Sequence, residues 1–223
     1  MTVSLEMHND VAVISFDDNR KNVINHNVLD ALEVAFDQAE TSAARAIVFK
    51  GRAGSFCAGY DISVMTGDDP DASNRLGRRG GLLAQRILEN PVPVVGLSQG
   101  HAFTIGAVWL ACCDTAIGEE GPFKYGMTEV ALNVPLTGWA LEPMRAKLNR
   151  THHVPALVHS RIYSPAEALT AGFIDRLVPS GNGVAEAMAT AAGLAELPTD
   201  AYRATKLAMR KPILAVMSAQ LGG

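Results

Sequence analysis

Two hydrophobic spacings alternate along the first 135 residues and predict a succession of strands and helices. Short runs rich in Val, Ile and Phe are typical of buried strands, whereas apolar residues three or four positions apart are typical of helices. Residues 2–7 and 11–16 predict a β-hairpin that turns at Asn9-Asp10. Strands are also predicted over residues 44–50, 93–97, 115–117 and 123–125, and helices around 28–36, from about 75 to 89 and over 106–113.

This alternation is typical of α/β proteins and predicts a spiral of strand–helix turns. Asn25 or Asn27 is expected to cap the first helix. The stretch 66–74 is polar and rich in turn formers, so we expect it to be the most mobile part of the first half. The apolar face of the first helix is predicted to consist of Val28, Leu29, Leu32, Val34, Ala35 and Phe36.

Helical patterns dominate beyond Pro135, with one short strand predicted over residues 175–179. We predict one structural unit, with a spiral core over residues 1–180 that becomes helical from about residue 136. A C-terminal helical region over residues 181–223 follows. Helices are predicted over residues 137–148, 154–160, 165–171, 184–197 and 199–210.

Composition and charge exclude several classes of protein. Hydrophobic residues make up 48% of the chain and charged residues 19%, as in ordinary globular enzymes. The net charge of −4 disfavours nucleic acid as a partner, because phosphate-binding surfaces concentrate Lys and Arg. Three cysteines, two of them adjacent, suit a reducing compartment. No signal-peptide pattern or membrane-length apolar run is present, so the sequence predicts a cytoplasmic protein without a membrane partner.

Two glycine-bearing loops carry the chemistry that the sequence suggests. Residues 51–62 follow a buried strand, and their three glycines let a ligand approach the main chain. Residues 99–108 likewise lead from a strand into a helix. Two strand-to-helix turns of this kind can direct two backbone N–H groups at one carbonyl oxygen, which is the arrangement of an oxyanion hole.

The motifs in these loops resemble those of the crotonase (enoyl-CoA hydratase/isomerase) superfamily. Residues 56–62, Phe-Cys-Ala-Gly-Tyr-Asp-Ile, are similar to its Phe-x-Ala-Gly-x-Asp-Ile/Leu signature, and residues 100–107 are similar to its second loop. The likeness continues through Cys113-Asp114, residues 125–129 and residues 164–175, and so covers nearly the whole chain. Within the superfamily, the pattern is most similar to that of the Δ3,Δ2-enoyl-CoA isomerases.

The resemblance implies a crotonase-like fold, which is a spiral of strand–strand–helix turns with a C-terminal helical region. It also implies an acyl-CoA thioester as substrate and a homotrimer or hexamer. Coenzyme A would be part of the substrate, and no separate cofactor is expected. The N–H groups of Tyr60 and Ile105 match the positions of the oxyanion donors. The basic cluster at 75, 78 and 79 is either a solvated helix face or an aid in binding the phosphates of coenzyme A. Expected substrate contacts are Ala58, Gly59, Asp61, Ile62, Gly106, Val108 and Trp139, although Trp139 is as easily explained by core packing.

Glu129 is the candidate catalytic base. It follows a predicted strand in a stretch poor in other charges, among the apolar residues 130–136. A carboxylate in such surroundings loses hydration, and its pKa rises toward neutrality. The plainer alternatives are that Glu129 caps the next helix or pairs with a surface lysine. The resemblance places it at the family's catalytic glutamate.

Val108 decides between two reactions of the family. Hydratases that resemble this chain carry a second glutamate at the position of Val108. Addition of water needs two acid–base groups, whereas an allylic shift of a double bond needs only one. The sequence therefore favours an isomerase that converts 3-enoyl-CoA to 2-enoyl-CoA. Hydration, thioester hydrolysis, decarboxylation and acyl-CoA binding without turnover stay open, the last because the β-branched Ile105 would crowd a close approach.

Other reactive residues carry little signal. His101 lies near the expected site and could contact a ligand. The remaining histidines do not have metal-site spacing, so no metal is predicted. Ser55 and Ser98 lack a His/Asp partnership, which argues against a serine hydrolase.

Overall fold

The computed structural model describes residues 2–65, 67 and 69–222. Its strands are β1 (Thr2–His8), β2 (Val11–Asp17), β3 (Val23–Ile24), β4 (Ala46–Lys50), β5 (Gly54–Cys57), β6 (Gly59–Tyr60), β7 (Val94–Ser98), β8 (Gly100–Phe103), β9 (Thr115–Glu119), β10 (Tyr125–Gly126) and β11 (Arg176–Val178). Its α-helices are α1 (His26–Thr41), α2 (Ile62–Met65), α3 (Pro70–Glu89), α4 (Ile105–Cys112), α5 (Gly138–Lys147), α6 (His153–Leu157), α7 (Pro165–Ala171), α8 (Gly183–Ala195) and α9 (Thr199–Leu221). Short 3-10 helices cover Val130–Leu132 and Arg150–His152.

The described strands form three sheets: a large one, a smaller one, and a pair made of β3 and β6. In the described part of the chain, the large sheet has the order β1-β2-β4-β7-β9-β11, and only the β1–β2 hairpin is antiparallel. The smaller sheet, β10-β8-β5, is parallel throughout. The strand pairs β4/β5, β7/β8 and β9/β10 each place their first strand in the large sheet and their second in the small sheet before the next helix. The first turn instead sends β1 and β2 to the large sheet and β3 to a pair with β6. This confirms the predicted α/β spiral of strand–strand–helix turns with helices at the C-terminal end.

Alternation along the strands of the large sheet gives it two apolar faces. On β4, Ile47 and Phe49 belong to the main apolar cluster, which α1, α3 and α4 cover. Ala46 and Val48 lie on the opposite face, which α8 covers with a row of alanines. All eight residues of α4 are buried, because this helix is enclosed by the sheets and by α3 and α5.

Several predicted boundaries hold and several are wrong. Asn25 caps α1 through its side chain, as one of the two alternatives predicted. Val34 does not join the apolar face of α1, since 54% of its surface is exposed. Part of the stretch predicted to be mobile, 66–74, is already helix, because Asp69 caps α3 and Pro70 opens it. Positions 66 and 68 of that stretch lie outside the described residues.

The last helix is longer than the sequence predicts. α9 continues past Arg210 to Leu221 and includes Pro212. Local signals favour an end near this proline, but packing of α9 against α3 and α5 keeps the helix intact, with Met217 and Leu221 buried. None of the helices in the described part of the chain has the length and apolar character needed to cross a membrane.

A buried ion cluster attaches α9 to the large sheet. Asp114, just after α4, accepts hydrogen bonds from Val94 N (2.7 Å) and Lys206 Nζ (2.8 Å). Its other oxygen pairs with Arg210 Nη2 at 3.0 Å. The Lys206 and Arg210 side chains are only 4% and 10% exposed, so both depend on this carboxylate as counter-ion.

We expect Asp114→Asn to lower the free energy of unfolding by about 3 kcal/mol, because two cations would stay buried without their anion. Urea denaturation monitored by circular dichroism measures the change. Glu142→Gln is the control, since it breaks only the exposed pair with Arg145 and should cost at most about 0.5 kcal/mol. Equal losses in the two variants would show that the cluster does not stabilise the fold.

Candidate active site

The first glycine-bearing loop is shaped by a buried asparagine. The Asn22 side chain donates to the carbonyl oxygens of Phe16 (2.9 Å), Ser55 (3.2 Å) and Phe56 (3.1 Å). Ala58 N donates back to the carbonyls of Lys21 and Asn22. Gly59 follows with φ +100, a conformation that side chains disfavour. The loop therefore reaches Tyr60 along a path fixed on both sides.

The second loop contains a residue in an unusual conformation. Thr104 joins β8 to α4 with φ 51 and ψ −120, although it is not glycine. Such a conformation costs free energy and persists only where the surroundings enforce it. Thr104 N donates to Gly126 O (3.0 Å), and Thr104 O accepts from Val108 N (3.1 Å). Ile105 is the first residue of α4, so its N–H has no acceptor within the helix.

Cys57 joins the two loops. Its buried Sγ accepts a hydrogen bond from Gly59 N at 3.3 Å. Gly106 N also interacts with this sulfur, and a Cβ on Gly106 would lie 2.5 Å from Cys57 Cβ. The sulfur thus contacts the residue before Tyr60 and the residue after Ile105. Burial raises the pKa of the thiol to about 12, so it remains a neutral spacer.

Glu129 lies at the end of β10, where the chain enters the 3-10 helix Val130–Leu132. Its Oε2 atom is buried and has no hydrogen-bond partner among the described residues. Burial raises the pKa of Glu129 to about 7, while the backbone N–H groups of Glu129 and Thr128 act in the opposite direction. Its side chain does not cap the following helix, and it pairs with no lysine in the described part of the chain.

The source of this burial differs from the sequence prediction. Val130, Leu132 and Val134 do not surround the carboxylate, because they are exposed, Leu132 to 66%. Neighbours in sequence on a short 3-10 helix point in different directions, so the dry environment comes from residues distant in sequence. Tyr60 is one of them, since the charge of Glu129 is among the causes that raise the pKa of its phenol, after burial and the Cys57 sulfur.

The Tyr60 side chain bridges the first loop and α3. Its hydroxyl donates to Gly77 O at 3.3 Å, and the ring end lies against Gly80. Trp139, on α5, is half-buried. Together with Leu221 of α9, it lies against Gly81 of α3. Both aromatic residues that the sequence analysis placed near the site therefore pack against α3.

The remaining predicted site residues lie in α4, at the start of α2 and in the two loops. Val108 is 1% exposed within α4, and no second carboxylate contributes to the pKa shift of Glu129 among the described residues. Asp61 instead accepts hydrogen bonds from Ser63 N and Oγ at the start of α2, and Ile62 beside it is exposed. Gly59 and Gly106 lie at the contact between the two loops, whereas Ala58 donates its N–H to the carbonyls of Lys21 and Asn22.

Other reactive side chains have structural partners. His101 Nδ1 accepts from Lys124 N (3.0 Å), and its ring stacks on Phe103. Ser55 Oγ donates to Lys21 O, and Ser98 Oγ donates to Gly100 O. No cluster of three His, Cys, Asp or Glu side chains that could hold a metal occurs within the described residues.

The arginines of α3 are likewise held by the protein itself. Arg75 pairs with Asp69, and Arg78 donates to the carbonyl of Gly222. Arg79 pairs with Asp30 and Glu33 of α1. These contacts favour a structural role for the cluster.

The sequence analysis missed Asn22 and Cys57. Asn22 stands at the end of a polar loop, and nothing local signals that its amide is buried against strands more than thirty residues away. Cys57 occupies the variable position of the Phe-x-Ala-Gly-x-Asp-Ile motif. Its role becomes visible only when α4 is seen to pack against it.

Comparison with known proteins agrees with this architecture. The enoyl-CoA hydratase/isomerase family model matches residues 6–222. The structure superposes on the apo enoyl-CoA isomerase of Mycobacterium tuberculosis with a TM-score of 0.94 and 32% identity, covering 99% of this chain and 96% of that one. The chain belongs to the enoyl-CoA hydratase/isomerase family, whose named members are enzymes.

Relatives named as isomerases and relatives named as hydratases occur at similar sequence identity to this chain. The human mitochondrial enoyl-CoA delta isomerase 1 is 26% identical over 204 residues, which is 90% of this chain and 68% of the human protein. The probable enoyl-CoA hydratase echA8 of Mycobacterium bovis is 26% identical over 216 residues, covering 94% of this chain and 81% of the relative. Similarity alone therefore does not choose between the two reactions.

We expect Glu129→Gln to stabilise the protein at about pH 8, where wild-type Glu129 is ionised in the native and unfolded states. Because the pKa rises from 4.5 to about 7 on folding, ionisation costs up to about 3 kcal/mol above pH 7. The cost disappears below pH 4.5, where both states are protonated. Urea denaturation across this range should show the advantage of Gln shrinking as pH falls. A difference that does not vary with pH would contradict the raised pKa.

Proposed function

We propose that this protein is an isomerase that moves the double bond of a 3-enoyl-CoA to the 2-position. The observation that carries the proposal is the carboxylate of Glu129, whose buried Oε2 atom has no hydrogen-bond partner among the described residues and whose pKa is raised to about 7. A base with this pKa is partly ionised near neutral pH and strong enough to take part in proton transfer at carbon.

In the proposed mechanism, the thioester oxygen accepts hydrogen bonds from the N–H groups of Tyr60 and Ile105. Glu129 removes a proton from C2, and the electrons of that C–H bond delocalise into a dienolate. The two N–H groups stabilise the negative charge on oxygen, a contribution of roughly a hundredfold to a thousandfold per donor. Glu129 then returns the proton to C4, which leaves the double bond between C2 and C3 and regenerates the carboxylate.

The apolar side chain of Val108 supports isomerisation over hydration. Addition of water requires one group to activate the water and another to deliver or hold a proton. Valine can do neither, and it is buried in α4 without a nearby substitute contributing to the electrostatics of Glu129. Hydration is the alternative that the names of several relatives favour.

Binding of acyl-CoA without turnover has less support. Its main argument is that Ile105 crowds the oxyanion position. The Ile105 side chain is buried in the main apolar cluster, which favours a path away from an approaching thioester. Assembly as a homotrimer or hexamer and a cytoplasmic location stay predictions.

We expect the wild-type protein to convert 3-hexenoyl-CoA to the conjugated 2-enoyl product and to hydrate crotonyl-CoA at least a hundredfold more slowly. Glu129→Gln should lower kcat for isomerisation by about 10²–10⁴-fold, because Gln cannot accept the proton. Isomerisation of 3-hexenoyl-CoA is measured as a rise in the ultraviolet absorbance of the conjugated thioester. Hydration of crotonyl-CoA is measured as a fall in that absorbance.

Glu142→Gln, on the exposed face of α5, is the matched control and should retain wild-type rates. Rapid hydration of crotonyl-CoA would favour the hydratase instead. Retention of isomerase activity by Glu129→Gln within a few-fold would remove Glu129 from the mechanism. Tight binding of both thioesters with neither reaction would support the binding protein.

A further inference from the structure

Three glycines lie in the middle of α3, where glycine weakens a helix relative to alanine. Gly77, Gly80 and Gly81 have helix on both sides, so neither a turn nor a helix end explains why glycine occupies these positions. Two of them are explained by large side chains that lie against them. A Cβ on Gly80 would collide with the Tyr60 hydroxyl, and one on Gly81 would lie 3.0 Å from the Trp139 ring.

The Tyr60 ring therefore occupies the space between the first loop and α3. Its hydroxyl ends on the backbone of the helix, at Gly77 O. Trp109 Nε1 donates to Gly80 O (3.1 Å), which is a second side-chain contact with the backbone of this part of α3. The end of the Tyr60 ring therefore contacts the backbone of α3 at positions that carry no side chain.

The Tyr60 ring begins at the proposed oxyanion site and ends on α3. Tyr60 supplies one of the two proposed N–H donors, so its side chain begins beside the thioester carbonyl. Burial, the Cys57 sulfur and Glu129 all raise the pKa of its phenol, which agrees with a position near the proposed base. An acyl chain that continues from the carbonyl toward α3 would meet this ring.

We propose that the Tyr60 ring closes the far end of the acyl site and restricts the enzyme to short-chain 3-enoyl-CoA substrates. This inference rests on the proposed function for the position of the thioester. Replacement of the ring by a small side chain would open a passage along the bare backbone at Gly77 and Gly80. The backbone N–H of residue 60 would remain in place.

The test compares 3-hexenoyl-CoA with 3-decenoyl-CoA as substrates. We expect wild-type kcat/KM to favour the six-carbon substrate by at least tenfold. Tyr60→Ala should shift this ratio toward 3-decenoyl-CoA by at least tenfold, whatever its effect on the absolute rate. Tyr60→Phe keeps the ring and should keep the wild-type ratio. Tyr60→Leu, which retains an apolar contact with α3, replaces Tyr60→Ala if that variant does not fold, and should shift the ratio in the same direction.

Binding of hexanoyl-CoA and decanoyl-CoA by calorimetry separates this inference from the proposed reaction, because neither saturated thioester can react. A preference for hexanoyl-CoA that Tyr60→Ala reverses would support the inference even if the wild type lacks isomerase activity. Isomerisation of both chain lengths at equal rates would overturn it while leaving the reaction intact. A shift produced by Trp139→Leu but not by Tyr60→Ala would also overturn it, since the site would then end at Trp139.

Discussion

The close contact between the loops that follow β5 and β8 is the constraint on which the proposed site depends. Gly54 and Gly100 pair across the small parallel sheet so closely that a Cβ on Gly100 would collide with the backbone of Gly54. The chains then diverge around the Cys57 sulfur and begin α2 and α4. Packing and the hydrogen bonds of Asn22, Cys57 and Thr104 position the two proposed main-chain donors, so no side chain has to supply them.

Burial of one carboxylate supplies the remaining chemistry. The protein holds Glu129 where its charged form is unfavourable, and this cost to stability raises the pKa of a base to the range where it can give and take protons. The rest of the fold offsets the cost, for instance through the Asp114 cluster that attaches α9 to the sheet. With Val108 in α4 instead of a second acid, the proposed site would have the groups for an allylic proton shift, and no second carboxylate among the described residues contributes to the pKa shift of Glu129.

Local patterns predicted most of the fold, because apolar periodicity reports directly on burial. The strand at Ala46–Lys50 and the helices α4 and α7 lie within two residues of their predicted bounds. The motif located Glu129, but the sequence placed the wrong residues around it. The exposure of Leu132 depends on how its short 3-10 helix packs against the rest of the protein. The contacts of Cys57 join segments about fifty residues apart, and a single sequence contains no record of such pairs.

The pH dependence of kcat/KM for 3-hexenoyl-CoA tests the central claim most directly, because this quantity reports the ionisation of the free enzyme. With Glu129 as the sole base, the rate should rise with pH, follow a single apparent pKa of about 7, and level off above it. A profile governed by a pKa near 4.5, the ordinary value for a glutamate, would mean that the carboxylate is hydrated and that burial does not tune the base.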